Sequence, residues 1–322
     1  MSNYQYLFGP IPSRRLGISL GVDLVPHKVC TIDCVYCECG ATSTLTTDRK
    51  EYVPRAKVQA ELAEFLAIKP QLDCITFSGA GEPTLNSEIG ALIQWIQREY
   101  PAYTLVVLTN GTLLHLPTVR REIASLDIVK ISVDAVAPAL FTEINRPAAS
   151  LTVSAMMEGI QQFCSECTGK IWLEHFLIPG KNTDEASLHQ LGTYLQTLTA
   201  EKLQLNTLDR PAPESWVTPA DAVTVRMAQE ILQSYLSYPV ENVSKVDTTY
   251  TFSDKTTPIE TLICNYISRR PMTLQDLQQT TGKDEKELHA VLEKLSQEEL
   301  IFSRTEQRGI FYETRKNNGT KE

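Results

Sequence analysis

Short apolar runs alternate with longer amphipathic stretches along most of the chain. The runs at 17–24, 73–78, 103–108, 128–133, 170–177 and 202–205 are dominated by Ile, Val, Leu and Phe and read as strands. Between them, apolar positions recur three and four apart over 55–68, 86–98, 118–124, 138–163, 184–198 and 219–235. That spacing predicts helices, with 138–163 filled by one helix or a pair. The strands suit burial on both faces of a parallel sheet. The alternation predicts an α/β fold with six β/α units, a partial (β/α)6 TIM-like barrel of about three quarters of the closed eight-unit form.

Both ends depart from this pattern. Residues 1–16 contain Gly9, Pro10 and Pro12 and read as an irregular lead-in. Residues 246–256 turn polar, rich in Thr, Ser and Asp, and read as a linker. Beyond it, helical spacing returns over 258–267, 274–280 and 284–296, with Thr273 placed to cap the second helix. Residues 300–304 and 309–313 then alternate like two strands around a polar turn. Three helices followed by a hairpin predict a C-terminal winged-helix domain. The expected division is a core over 1–245 (lead-in 1–16, barrel 17–245), a linker over 246–256, and a winged-helix-like domain over 257–322.

Composition narrows the function classes. At 21% charged and 42% hydrophobic residues the chain reads as an ordinary soluble protein. A net charge of −9 argues against a general nucleic-acid binder. No apolar run is long enough for a membrane span. The start, Met1-Ser2-Asn3-Tyr4-Gln5-Tyr6, lacks the charged and hydrophobic regions of a signal peptide, so a cytoplasmic location is expected. Eight cysteines in that setting point to metal or redox chemistry before disulfides.

Three of those cysteines crowd into one stretch, Cys30-Thr31-Ile32-Asp33-Cys34-Val35-Tyr36-Cys37. Three thiolates this close can grip one face of an iron–sulfur cluster and leave one iron open to a small molecule. A zinc site drawing on His27 or Cys39 is the competing reading of the stretch alone. The cysteines follow the first strand, and in a β/α barrel function gathers on loops at the C-terminal ends of strands. The other strand ends are polar or glycine-rich: Ser78-Gly79-Ala80-Gly81-Glu82-Pro83-Thr84, Thr109-Asn110-Gly111-Thr112, Ser132-Val133-Asp134, Pro179-Gly180-Lys181-Asn182 and Asn206-Thr207-Leu208-Asp209-Arg210. Singly, each is an ordinary turn. Together they place one rim of polar groups beside the cysteines.

C-x3-C-x2-C with Tyr36 before its last cysteine, followed on the next strand by Gly81-Glu82-Pro83, resembles the radical S-adenosylmethionine (SAM) superfamily over most of residues 17–240. The resemblance implies that Cys30, Cys34 and Cys37 hold a [4Fe–4S] cluster whose fourth iron chelates SAM. It implies that Gly79, Ala80, Gly81, Glu82 and Pro83 hold the methionyl amino group through backbone carbonyls. Ser132 and Asp134 match the ribose-binding position, Tyr36 is placed near the adenine, and Asn110 and residues 177–182 are weaker contacts. The family usually reads Gly-Gly-Glu-Pro, so Ala80 keeps only a small residue at the first glycine. An electron donor of flavodoxin or ferredoxin type is implied as a partner. In this reading, the catalytic acid or base is unassigned.

A narrower similarity rests on Phe8-Gly9-Pro10-Ile11-Pro12-Ser13-Arg14-Arg15-Leu16-Gly17, on residues 21–26 and on residues 76–85. These resemble radical SAM iron–sulfur oxidoreductases described as similar to wyosine-tRNA synthetases. RNA-base modification is therefore the first expected activity, and modification or activation of a protein or peptide the second. A wyosine-type reaction needs a Schiff-base lysine, which the sequence does not single out. The competitor of another class is an iron–sulfur or zinc regulator with its winged helix on DNA. The acidic stretch Asp284-Glu285-Lys286-Glu287 speaks against DNA, although Arg304, Arg308, Arg315 and Lys316 leave RNA contact open.

The remaining candidates divide between site and scaffold. Arg14 and Arg15 suit an anionic substrate, the SAM carboxylate, or surface salt bridges. Cys39, Cys164 and Cys167 suggest an auxiliary metal site. However, Cys164 and Cys167 belong on the opposite face of the barrel, so free thiols or a minor metal site are expected. Cys74 and Cys264 read as core. Lys130 and Lys170 are as consistent with a structural role as with a functional one. Glu174 and His175 are adjacent in one strand and must point to opposite faces; one of them faces the barrel interior.

Overall fold

The computed structural model describes residues 4–13, 15–79, 81–243, 258–306 and 308–314. Arg14, Ala80, the expected linker at 246–256, Arg315 and Lys316 lie outside the described residues.

The chain opens with two antiparallel strands, β1 (Leu7–Ser13) and β2 (Gly17–Val22). β1 corrects the expectation of an irregular lead-in. Its prolines are tolerated because β1 is the edge of the sheet, where one row of N–H groups needs no partner. A register shift between Phe8 and Ile11 absorbs the irregularity. The Phe8 ring lies over Gly21, where a β-carbon would stand 2.0 Å from the ring.

Two short strands, β3 (Val29–Cys30) and β4 (Thr44–Leu45), fold the cysteine stretch back on itself. The β/α alternation follows: α1 (Arg55–Leu66), β5 (Cys74–Phe77), α2 (Ile89–Glu99), β6 (Thr104–Thr109), α3 (Pro117–Ile123), β7 (Ile128–Ser132), α4 (Pro138–Asn145), α5 (Val153–Glu166), β8 (Lys170–Phe176), α6 (Glu185–Leu195), β9 (Lys202–Asn206) and α7 (Ala222–Gln233). The stretch 138–163 is thus a pair of helices. A further strand, β10 (Val240–Asn242), adds parallel to β9 and was not anticipated, because its three residues are too short to show a period. The sheet order is β1-β2-β5-β6-β7-β8-β9-β10, parallel from β2 onward. This is an α/β fold with a mostly parallel sheet.

Register separates the two faces of the sheet, since paired residues on parallel strands point the same way. Ile75, Leu105, Val129, Leu173 and Leu203 are almost fully buried on the face covered by the helices. Each such side chain contributes about 2 kcal/mol over an exposed one. The other face carries Thr76, Lys130, Ser132, Glu174 and Gln204. This face is mixed, with Val106, Leu108 and Trp172 standing in register beside those polar groups, unlike the uniformly apolar strands that the short runs suggested. Glu174 belongs to this interior face, and His175, paired with Leu205, to the helix-covered face.

The C-terminal unit runs α8 (Ile259–Arg269), β11 (Met272–Thr273), α9 (Leu274–Thr281), α10 (Glu285–Gln297), β12 (Ile301–Glu306) and β13 (Gly309–Thr314). Its three strands form an antiparallel sheet in the order β11-β13-β12. Thr273 and Asp276 form a capping box at α9. Its apolar core, around Ile263, Leu277, Leu288, Leu292 and Ile301, also takes in Ile11 of β1. Arg269 donates to Asp23 at 3.0 Å, and Arg210 pairs with Asp276 at 2.9 Å, so ion pairs and apolar contact together join this unit to the rim of the sheet. Among the described residues, no helix is long and apolar enough to cross a membrane.

Candidate functional site

The loop after β2 carries the three cysteines. It is pinned by backbone hydrogen bonds from Asp33 N–H to the Asn145 carbonyl (2.9 Å) and from Val35 N–H to the Ile144 carbonyl (3.0 Å), at the end of α4. Each of the three sulfurs then receives a polar hydrogen. Asn110 Nδ2 donates to Cys30 at 3.6 Å, Asn145 Nδ2 to Cys34 at 3.5 Å, and Lys28 Nζ to Cys37 at 3.0 Å. Lys28 and Asn145 were missed from sequence. Asn145 lies over a hundred residues away, and Lys28 precedes the motif with nothing to mark it.

Electrostatics follow from burial and these donors. The Cys37 thiol is pulled down to about 5, chiefly by the hydrogen bond from the Cys39 thiol and then by the Lys28 ammonium, against the opposing effect of burial. Burial opposes the charge on Lys28, but Cys37, Cys39 and Cys30 outweigh it and hold the ammonium above its ordinary range. Burial and then the Glu82 carboxylate push Cys30 up to about 11, and burial likewise raises Cys34. Metal coordination is the ordinary way to keep such buried thiols ionised. Among the described residues, no three His, Cys, Asp or Glu side chains converge on a single metal ion. A cluster differs in that it spreads its thiolates over separate irons.

The loop after β5 abuts the cysteine loop directly. A β-carbon on Gly81 would lie 1.8 Å from the Val29 carbonyl oxygen, one residue before Cys30. Gly79 has φ +103°, and its β-carbon would meet Asp23 at 2.7 Å. Both positions require glycine for space or conformation. Glu82 is 2% exposed. Its carboxylate accepts from the Thr84 hydroxyl (2.6 Å), the Thr109 hydroxyl (2.7 Å), the Asn110 N–H (2.9 Å) and the Thr84 N–H (3.1 Å). Burial raises its pKa in spite of these donors. The Glu82 side chain thus ties the loop after β5 to the end of β6 and sets Asn110 against Cys30. Pro83 opens the short 3-10 turn Pro83–Leu85 that ends the loop.

At the end of β7, Asp134 is 4% exposed and accepts from the Phe176 N–H at 2.9 Å, from Asn145 Nδ2 at 3.2 Å, and from the Tyr36 hydroxyl. Tyr36 stacks on Phe176, with ring centroids 4.0 Å apart and planes at 14°. Asn145 thus bridges the Cys34 sulfur and the Asp134 carboxylate. Ser132 is half-buried and pairs in register with Glu174 on the interior face. Asn182 donates to the Asp134 carbonyl at 3.2 Å and closes the loop after β8. The structure therefore gathers Cys30, Cys34, Cys37, Tyr36, Gly79, Gly81, Glu82, Pro83, Asn110 and Asp134 at one rim.

The interior face below them carries an ion-pair network. Lys130, 2% exposed, lies 2.5 Å from Glu174, and Arg15 lies 3.0 Å from the same carboxylate. Lys170, by contrast, pairs with Glu201 at the surface. His175 donates Nδ1–H to the Val133 carbonyl at 2.9 Å and is kept neutral by burial. Cys39 belongs to the cysteine loop. Cys164 and Cys167 close α5, before β8 begins, and so lie at the opposite end of the sheet.

The residues fit an iron–sulfur cluster: three thiols on one loop, an N–H donor on each sulfur, and a glycine-walled loop alongside. Comparison with known proteins agrees. Residues 24–191 match the family model of the radical SAM superfamily. The chain belongs to this superfamily of enzymes, whose members use SAM and an iron–sulfur cluster. That membership displaces the metal-binding regulator as a reading. The chain is 35% identical to a UPF0026 protein of Synechocystis, over 66% of this chain and 78% of that one. It is 29% identical to a protein named GTPase Obg in Brachyspira hyodysenteriae, over 90% of this chain but only 42% of that one. Its fold is similar to a structure of TYW1 with a lysine-pyruvate adduct bound, at a TM-score of 0.51 and 16% identity, covering 69% of this chain and 74% of that one.

Proposed function

We propose that the chain is a radical SAM enzyme that holds a [4Fe–4S] cluster on Cys30, Cys34 and Cys37 and reductively cleaves SAM to start radical chemistry. The carrying observation is the set of three sulfurs, each with its own N–H donor, packed against Gly81. When bound, cluster and SAM together supply the one-electron cleavage of the sulfonium and a radical at the SAM 5′ carbon.

The protein's part is placement and exclusion of water. Asn110, Asn145 and Lys28 stabilise anionic sulfur. Backbone carbonyls over residues 79–83 suit the methionyl ammonium. Tyr36, Ser132 and Asp134 border the nucleoside side, with Asp134 held in place by Asn145 and the Phe176 N–H. The interior face then receives the substrate. The sheet reads as a partial TIM-like barrel, and the C-terminal order of helix, strand, two helices and hairpin as a winged helix that covers the site. A flavodoxin- or ferredoxin-type protein supplies the electron, and an intracellular location suits so reducible a site. RNA-base modification is the favoured reaction, supported by the resemblance to wyosine-type enzymes. Turnover on a peptide in place of RNA would redirect it.

Anaerobic reconstitution followed by dithionite and SAM tests the reading. It expects 5′-deoxyadenosine and about four irons per chain. Cys30→Ala, Cys34→Ala or Cys37→Ala should abolish the product, and Cys164→Ala should not. A fully loaded cluster that yields no 5′-deoxyadenosine would refute the reading.

A further inference from the structure

A cavity of about 300 Å³ lies between the sheet interior and the C-terminal unit. Thr76 and Arg15 line its inner side, Gly79 and Gly81 its rim, and Arg210 and Arg270 the side facing the C-terminal unit. Two of these arginines have carboxylate partners: Arg15 has Glu174 at 3.0 Å, and Arg210 has Asp276 at 2.9 Å. The buried Nε of Arg15 has no hydrogen-bond acceptor, and that of Arg210 has only the carboxylate of Glu38, which also lines the cavity, at 3.6 Å. Arg270 differs from both. None of the ion pairs or side-chain hydrogen bonds between described residues engages its guanidinium, and Glu38, Asp276 and Cys39 favour its charge. Burial, and then repulsion by Arg210, pushes its pKa down to about 10.

Arg270 is part-buried and crowded by a second arginine, so an anion beside it is favoured, and the buried Nε of Arg15 is a donor that the chain leaves unfilled. A planar guanidinium matches phosphate and carboxylate oxygens two at a time. Arg270 directly follows α8, so the C-terminal unit is what brings it to the cavity. A group anchored there lies in the cavity that Gly79 and Gly81 edge, beside the cysteine loop.

We propose that this cavity is the substrate pocket, and that Arg270, flanked by Arg15 and Arg210, binds an anionic group of the substrate, a phosphate or a carboxylate. This rests on the radical SAM reading for the word substrate. The anion site itself rests on the arginines alone.

The test is calorimetric titration of the cluster-loaded full chain with inorganic phosphate and, separately, with malonate, at low salt. One of the two should bind saturably, and Arg270→Gln should weaken it about tenfold or more. Its SAM affinity and iron content should stay as in the parent. Arg270→Lys should fall between. Arg270→Gln should melt no lower than the parent, because no internal partner is lost. A preference for phosphate marks a nucleotide-like substrate, and one for malonate a carboxylate substrate. The proposal fails if neither anion saturates the parent, if Arg270→Gln binds the anion equally well, or if the variant loses SAM binding instead. Since the titration needs no SAM cleavage, failure to form 5′-deoxyadenosine would count against the enzyme reading and leave this result standing.

Discussion

Gly81 and Val29 are in backbone contact: a β-carbon added to Gly81 would stand 1.8 Å from the Val29 carbonyl oxygen. Glu82 N–H donates to that same oxygen at 3.2 Å. The loop after β5 and the cysteine loop are therefore one mechanical unit. Gly81→Ala should move Cys30, costing about 1–3 kcal/mol from the forced shift and most of the 5′-deoxyadenosine yield. Gly180→Ala is the control, with φ +75° but nothing within 4 Å of its β-carbon. It should cost only the backbone strain of about 1–2 kcal/mol and keep the cluster. Thermal melts with iron content separate the two.

The donors to sulfur make a second expectation. Asn110→Ala and Asn145→Ala each remove one N–H donor from a cysteine sulfur, Cys30 and Cys34 respectively. Both should retain iron after reconstitution, lower the reduction potential and cut turnover about tenfold, the scale usual for groups that orient metal ligands. Asn145→Ala should act more broadly, because it also releases Asp134. Redox titration followed by electron paramagnetic resonance reads the potential; unchanged potentials in both variants would remove sulfur bonding from the account.

Tyr36 joins two interactions that substitution can separate. Tyr36→Phe keeps the stack on Phe176 and loses the hydroxyl given to Asp134. The cost should be about 1 kcal/mol. Tyr36→Ala loses both and should cost about 3–5 kcal/mol. If Tyr36 also lies against the adenine, SAM affinity should fall in Tyr36→Ala and hold in Tyr36→Phe. Equilibrium unfolding and SAM titration provide the two readings.

Docking of the C-terminal unit should depend on pH. Burial alone would raise the Asp276 pKa, but Arg210 and Arg308 outweigh it and hold this carboxylate well below its usual range. A depressed carboxylate contributes stability that is complete above its unfolded pKa of about 3.9 and is lost as pH falls toward the folded value. The cluster-free protein should therefore lose stability below about pH 4. Asp276→Asn should lose about 3 kcal/mol at neutral pH, the scale for breaking a buried pair, and show a flatter profile in acid. Equilibrium unfolding of parent and variant across pH 3 to 7 reads the loss; an acid profile in Asp276→Asn unchanged from the parent would count against the pairing.

Local pattern carried the architecture and the cysteine site. Six strands, their helices and the cysteine loop are written in periods of a few residues, and such periods survive without any knowledge of contacts. The α/β alternation was legible for that reason, and so was the position of Cys30, Cys34, Cys37 and Gly81-Glu82-Pro83 at the ends of neighbouring strands. β1 and β10 were not: prolines hid one, and brevity the other. Both are strands only because a neighbour supplies their hydrogen bonds. The same holds at the site. Nothing local marks Asn145 or Lys28 as partners of sulfur, or Arg270 as a wall of the cavity beside the cysteine loop. Strand period required that Glu174 and His175 face opposite ways. Which one faced inward depended on register with β7 and β9, a long-range pairing. The sequence by itself determined which residues have the chemistry for a cluster. Only the tertiary structure decided which side chains donate to the cysteine sulfurs and what charge lines the cavity beside them, because those contacts join positions far apart in the chain.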